Sequence, residues 1–291
     1  MAQRSGSRLA ATLLAILPHL AIFVAILILW EVAVAMKWIN DFLIPRPTAV
    51  FVSIKELYVT KGTIYRHFWI TSVETAIGFA LAAAIGISLA VASALNETFR
   101  RYIAPYAVVL NVTPALALSP ILIAWFGFGL GSKVALATLI SLFPIFVNTL
   151  AGLTQQDAER EELFRSLGAS PMQRFWKMQV PAALPLTFAG LKIGITLALI
   201  GSVVAEFEQA VEGVGVLMQR FSYRLDMASA ITVLLTMSAM GLTLYTAMEI
   251  LDERLVFWRR EKGMARVSAR RRAAFDEPDL IADTTTKRTT T

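Results

Sequence analysis

Four polar side chains, Glu74, Asn111, Thr113 and Asn148, stand inside long apolar stretches of a 291-residue chain. A carboxylate, amide or hydroxyl in hydrocarbon is costly, so such residues mark solute pathways or bond one helix to another. For Glu74 both readings stand. Asn111 reads first as a helix–helix hydrogen bond. Lys192 lies one turn into another apolar stretch, from which its ammonium is expected to snorkel inward. Glu206 closes the far end of that stretch and is expected to be solvated, and Glu31 reads as interfacial. Other chemistry is sparse. The chain has no cysteine, which excludes disulfides, thiolate catalysis and cysteine-ligated zinc. Its two histidines, His19 and His67, are far apart, so no metal site and no cofactor are expected. GFGLGSK at 127–133 lacks the G-x4-G-K-[ST] pattern of a phosphate loop. It reads as a tight turn, and the chain by itself is not expected to bind nucleotide.

A second group of candidates forms a polar island, SLGASPMQRFWKMQVPAALP, at 166–185. Residues 157–167 read as a helix with Leu163, Phe164 and Leu167 on one face. Glu161 and Arg165 are placed to pair at i,i+4. Gly168 follows the last apolar residue, as a glycine past a helix end does. Ser170 then suits an N-cap, Pro171 the first helical position, and Gln173 the far corner of a capping box. The second helix puts Met172, Phe175, Trp176 and Gln179 at i, i+3, i+4 and i+7. Pro181 is expected to end it. The island reads as a stiff helix–corner–helix peg with an aromatic and thioether face, suited to docking a cytoplasmic protein.

These residues need a scaffold, and composition names its class. The chain is 56% hydrophobic and 16% charged, against about 45–50% and about 25% in soluble domains. Six stretches, 14–34, 70–95, 103–125, 134–153, 188–204 and 228–250, approach the roughly 20 residues that cross a bilayer. Backbone groups in lipid must satisfy themselves, so these are helices; period-two alternation is absent. The first run is longer than a signal peptide's apolar region of about 7–15 residues, and reads as an uncleaved span. Pro114, Pro120 and Pro144 are expected to kink the third and fourth spans. Gly78, Ala82 and Gly86 have the spacing that lets helices approach closely.

Basic residues set the expected topology. Arg4, Arg8, Arg100, Arg101, Arg160, Arg165, Arg174, Lys177 and the chain from Arg254 onward fall on one side. That bias predicts both termini inside, with the polar island in the cytoplasm. The net charge of +6 is therefore topological, and without interleaved aromatics no nucleic-acid partner is expected. After Pro45 and Pro47, the residues Ala49, Val50, Ile54, Leu57 and Tyr58 predict a short amphipathic helix on the membrane surface or against the bundle. Arg259, Arg260 and Lys262 would meet membrane lipid. The tail 259–291, Arg-rich and then Thr-rich, is expected to be disordered. The expected divisions are thus 1–65, a core at 66–258 with the island at 155–185, and the tail.

The island resembles the EAA loop of ABC-importer permeases: Glu-Ala-Ala, three residues, Gly, nine residues, Ile-x-Leu-Pro. Here Glu162, Leu163 and Phe164 precede Gly168 by the same spacing, and Met178-Gln179-Val180-Pro181 follows. Glu, Gly and Pro match; Leu163 and Phe164 replace the alanines. PALALSPILIAWFGFG (114–129), FPIFVNTLAGL (143–153), LPLTFAGLKIGITLALIGSVVAEF (184–207) and GVGVLM (213–218) are similar to the nitrate, sulfonate, taurine and pyrimidine-precursor branch of these permeases. The resemblance covers about residues 65–255.

The resemblance implies an all-α, polytopic membrane protein with the type I ABC importer permease fold, in a bacterial inner membrane. It implies ATPase docking through Glu162, Leu163, Gly168, Ala169, Ser170, Pro171, Phe175, Trp176 and Pro181. Partners would be cytoplasmic ABC ATPase subunits, a periplasmic or lipoprotein solute-binding protein, and a second permease copy. Glu74, Asn111, Thr113 and Asn148 would be pathway candidates, and Glu74 would weigh against a purely anionic cargo. A membrane enzyme would need paired carboxylates, metal-ligand histidines or a nucleophile–base set, and none is visible. A stand-alone secondary transporter would show internal repeats, and the two halves do not match.

Overall fold

The computed structural model describes residues 3–155, 158–209 and 211–258. The tail and its expected disorder, with Asp157, lie outside them. All regular structure among the described residues is helical: α1 (Gln3–Ala35), α2 (Pro47–Lys55), α3 (Thr63–Leu95), α4 (Glu97–Val112), α5 (Ala115–Phe126), α6 (Leu130–Thr154), α7 (Ala158–Ser166), α8 (Pro171–Arg174), α9 (Val180–Gln209), α10 (Val214–Tyr223) and α11 (Met227–Leu255). Two π turns, Glu56–Thr60 and Phe175–Gln179, extend α2 and join α8 to α9.

Among the described residues, five helical stretches are long and apolar enough to cross a membrane: Leu17–Ala35, Thr63–Leu95, Leu130–Thr154, Pro171–Glu208 and Met227–Leu255. The expected third span, 103–125, is instead two helices, α4 and α5. Proline is the cause. Pro114 has no N–H to continue the ladder and pushes the residue before it out of helical backbone. Thr113 accordingly sits extended, at φ −71° and ψ 125°. Pro120 and Pro144 stay within α5 and α6. At the start of α4, the Asn96 side chain accepts the Phe99 N–H at 3.1 Å. Arg100, donating to the Glu97 carboxylate with Arg101 alongside, holds that exposed acid below its ordinary pKa.

The core is α6 gripped between α3 and α9, and small residues set the grip. A Cβ added at Gly78 would stand 2.6 Å from the Ala137 Cβ. Added at Gly194 it would meet Ile145 Cγ1 at 2.6 Å, and at Gly201 the Ala137 Cα at 2.8 Å. Lipid gives helices little hydrophobic reason to associate, so close backbone packing must supply the attraction. The expected approach at Gly78, Ala82 and Gly86 is therefore present, and α9 repeats it on the opposite side of α6.

The short outer helix also forms, and it lies against the bundle. Pro47 starts α2; Ser53 Oγ donates to Ser229 Oγ at 3.1 Å, and the Tyr58 hydroxyl meets Thr236 Oγ1 at 2.8 Å. Glu31 accepts both the N–H (3.1 Å) and the hydroxyl (3.0 Å) of Thr48, so it caps α2 from α1. Connectivity defines two ends. One holds α7, α8 and the last turns of α3, α6 and α11. The other holds α2, α10 and the residues between α5 and α6.

Candidate functional site

The polar island folds by local rules. In α7, Glu159 and Glu161 occupy the first turn, where carboxylates favour the helix dipole. Gly168 takes φ +71°, and no atom lies within 4 Å of where its Cβ would be. The need for glycine there is thus conformational, not steric. The Gly168 N–H donates to Arg165 O at 2.9 Å and the Ala169 N–H to Phe164 O at 3.0 Å. These are the two reversed bonds of a Schellman motif, and they satisfy carbonyls that α7 leaves open. Ser170 then begins α8. Its Oγ accepts the Gln173 N–H at 3.3 Å, and Gln173 Oε1 accepts the Ser170 N–H at 2.9 Å, with Pro171 at the first position. The capping box is complete. Glu161 ties the two helices together: its carboxylate takes Arg165 at 3.1 Å and also Arg174.

Two expectations at the island need correcting. Pro181 does not end a short helix. The chain stays helical from Pro171 through the π turn into α9, because the wide turn, closed by the Val180 N–H on Phe175 O, absorbs the strain proline places on the preceding turn. Phe175 does not share the exposed face. It is 3% exposed and packs with Leu153 and Ala183, since the π turn rotates it into the core. Glu162, Leu163, Leu167, Met172 and Trp176 remain exposed, and Ala169 is half-buried.

At the other end, α9 finishes in a buried polar cluster. Glu206, expected to be solvated, has no exposed surface. It accepts Thr71 Oγ1 at 2.5 Å and the Gly215 N–H at 2.7 Å. Thr71 Oγ1 accepts the Val214 N–H at 2.9 Å, and His67 Nδ1 the Gly213 N–H at 2.9 Å. A helix leaves its first N–H groups open; here α3 and α9 close three of them at the start of α10. The glycines of GVGVLM follow from this. A Cβ on Gly213, at φ +135°, would fall 2.1 Å from Glu206 Oε1, and one on Gly215 would fall 2.9 Å from Glu206 Cβ.

Beside it, Lys133 Nζ donates to Glu74 Oε1 at 2.5 Å, with both side chains buried. Glu74 thus bonds α3 to α6, the second of its two readings, and Lys133 neutralises it. Its argument against anionic cargo lapses. Lys133 itself was expected in a solvent-facing turn; it is instead 7% exposed, drawn in by the carboxylate. His67, Thr71, Glu74, Thr75 and Gly78 recur at i, i+4, i+7, i+8 and i+11 along α3. That polar helical stripe was a sequence signal for the cluster. Deeper toward the island, Lys192 pairs with Asp252 of α11 at 2.8 Å instead of reaching solvent.

The four pathway candidates do not converge. Asn111 is exposed and makes no helix–helix bond; with Thr113, Leu139, Phe143 and Leu197 it lines a cleft of about 240 Å³. Asn148 spends its amide on Pro144 O at 2.8 Å, within α6. Glu74 thus pairs across α3 and α6 and Asn148 bonds within its own helix, while Asn111 and Thr113 share an open cleft.

Comparison with known proteins agrees with this architecture. The profile of the family described as "Binding-protein-dependent transport system inner membrane component" matches residues 82–257, more than half of the chain. The formylaminopyrimidine transport permease protein ThiX of Halalkalibacterium halodurans is 32% identical over 240 residues, covering 82% of this chain and 95% of that protein. The putative aliphatic sulfonates transport permease SsuC of Bacillus subtilis is 29% identical over 80% of this chain and 84% of its own. The taurine transport permease TauC of Escherichia coli is 28% identical over 81% and 87%. A chain of the MetNI methionine ABC transporter, solved in inward-facing conformations, superposes with a TM-score of 0.59 at 19% identity, over 66% of this chain and 95% of that one. A stand-alone secondary transporter is thereby set aside. An all-helical bundle with this island, this span pattern and these relatives belongs to the binding-protein-dependent inner-membrane component family: the chain is a multi-pass permease subunit of an ABC importer, whose ATPase is a separate subunit.

Proposed function

We propose that the island is the ATPase-docking element and that α9 carries its movement through the membrane. The observation that carries this reading is the unbroken helix from Pro171 to Glu208, roughly 57 Å at 1.5 Å per residue. Glu162, Leu163, Gly168, Ala169, Ser170, Pro171 and Trp176 form the docking surface, and buried Phe175 and half-buried Pro181 root it. Force on the corner reaches Glu206, and through it α10 and α3. Closure of two ATPases around ATP would then rock one bundle against its copy in a homodimer. The docking end faces the cytoplasm, with both termini, in keeping with its arginines and lysines; the periplasmic or lipoprotein binding protein delivers solute at the α2–α10 end. The working divisions are 1–65, the core 66–258 with its docking loop at 155–185, and the tail 259–291.

The cargo is a small solute of the sulfonate, nitrate, taurine or thiamine-precursor pyrimidine type. The named substrates of ThiX, SsuC and TauC support this range. The Asn111–Thr113 cleft supports it too, since it offers neutral hydrogen-bonding groups rather than a fixed charge. A pulldown tests the docking role: the wild-type chain retains its ATPase, and Gly168→Arg loses both the ATPase and transport. A Gly168→Arg permease that still binds the ATPase and transports normally would overturn the assignment.

A further inference from the structure

Three side chains hold the start of α10, one to each of three successive N–H groups. His67 Nδ1 accepts from Gly213, Thr71 Oγ1 from Val214 and Glu206 Oε2 from Gly215. The three acceptors answer differently to a proton. A carboxyl group keeps an acceptor oxygen when protonated, and a threonine hydroxyl does not titrate. An imidazole nitrogen has one lone pair, and both nitrogens of the cation are donors. With His67 protonated, the Gly213 N–H would face another N–H. His67 is buried, so neither donor would meet water without movement.

The charges around His67 do not shelter a cation there. On α3, Arg66 adjoins it and pairs with Glu212 at 2.5 Å, while Glu74, two turns on, is held by Lys133 of α6. Lys133 also donates to Glu212 O at 3.4 Å. From α10, Arg220 donates to Val211 O at 2.5 Å. Glu206 of α9 spends its oxygens on Thr71 and the Gly215 N–H, and Glu208 is exposed. Beside the first π turn, Lys61 pairs with Glu56 and the Tyr58 hydroxyl meets Thr236; Asp226 caps α11. A charge buried without a partner is costly, so the protonated ring must leave its place.

We propose that His67 is an acid-sensitive latch. Uncharged, it ties Gly213 and the start of α10 to α3; protonated, it lets that segment go. Val214 and Leu217 pack on Leu57, Ile64 and Val233, so release at Gly213 loosens the seat of α10 at this end. The latch is independent of the island's docking role. Its sense as a response to acid outside the cell rests on the α2–α10 end facing outward.

The chain has no cysteine, so a nitroxide on Val211→Cys reports this segment alone; Val211 is exposed and two residues from Gly213. The full-length permease is labelled at neutral pH in nanodiscs, and its EPR spectrum is read from about pH 8 to about pH 5, the range in which histidine changes charge. The mobile component should grow several-fold with a one-proton profile. A label on Phe128→Cys, exposed between α5 and α6 at the same end, should not respond. His67→Asn supplies an acceptor oxygen that does not titrate, and should hold the segment throughout. His67→Ala should be mobile at every pH. A spectrum that does not change with His67 in place, a transition that survives in His67→Asn, or a His67→Ala segment still held at about pH 8 overturns the proposal. A nanodisc bathes both faces in one buffer, so the result is the same whichever face is outside.

Discussion

Lys133 and Glu74 form a buried ion pair that the bundle cannot lose by halves. Removing one partner leaves an uncompensated charge in low dielectric, at a cost of about 3–5 kcal/mol, whereas removing both is often close to neutral. Lys133→Met should therefore lower the melting temperature of the purified permease sharply. Glu74→Gln with Lys133→Met should recover most of it. Thermal unfolding followed by tryptophan fluorescence decides this; equal melting of the single and double variants would show that the pair carries no structural weight. None of this pairing was legible from residue types alone. Glu74 lies 59 residues from Lys133 and Glu206 lies 135 from Thr71, and a chain read locally assigns Lys133 to a turn and Glu206 to solvent. Only the polar stripe on α3 pointed inward.

The corner at Gly168 was legible because its backbone bonds and its capping box lie within five residues; the tie from Glu161 to Arg174, 13 residues apart, was not. Glycine after the last apolar position, and Ser170 three before Gln173, dictate the Schellman bonds and the capping box. Open space around Gly168 separates shape from size. Gly168→Asn should keep docking, since asparagine enters left-handed backbone with little strain. Gly168→Val should weaken the corner by about 1–2 kcal/mol, with a matching loss of ATPase retained in a pulldown. Identical behaviour of the two variants would mean that the corner's backbone does not govern docking. Elements failed to read correctly where proline was judged alone. Pro114 breaks a span that hydropathy alone runs through, because hydropathy does not weigh a missing N–H. Pro181, by contrast, is tolerated, because the π turn ahead of it relieves the clash.

For the whole bundle, the governing fact is that α6 meets both neighbours at backbone distance. Gly78 was visible as part of a small-residue spacing; Gly190, Gly194 and Gly201 needed the antiparallel register of α9 on α6 to acquire meaning. At Gly201 the nearest obstacle is the Ala137 main chain, which cannot swing aside as a side chain can. Gly201→Leu should therefore force the helices apart and cost more than the 1–3 kcal/mol typical of overpacking. Little monodisperse protein is the expected outcome in size-exclusion chromatography. The same change at Gly129, where nothing lies within 4 Å, should leave the elution profile intact.

The π turn between Phe175 and Gln179 has one more effect. Such a turn holds one residue beyond the regular count, and each residue of an α-helix advances about 100° around its axis. The extra residue thus sets the compass bearing of the corner relative to everything above it. Trp176 and Met172 face outward, and Phe175 inward, because of that offset. The direction in which the permease offers its peg is adjustable by a single codon, independently of the peg's own shape.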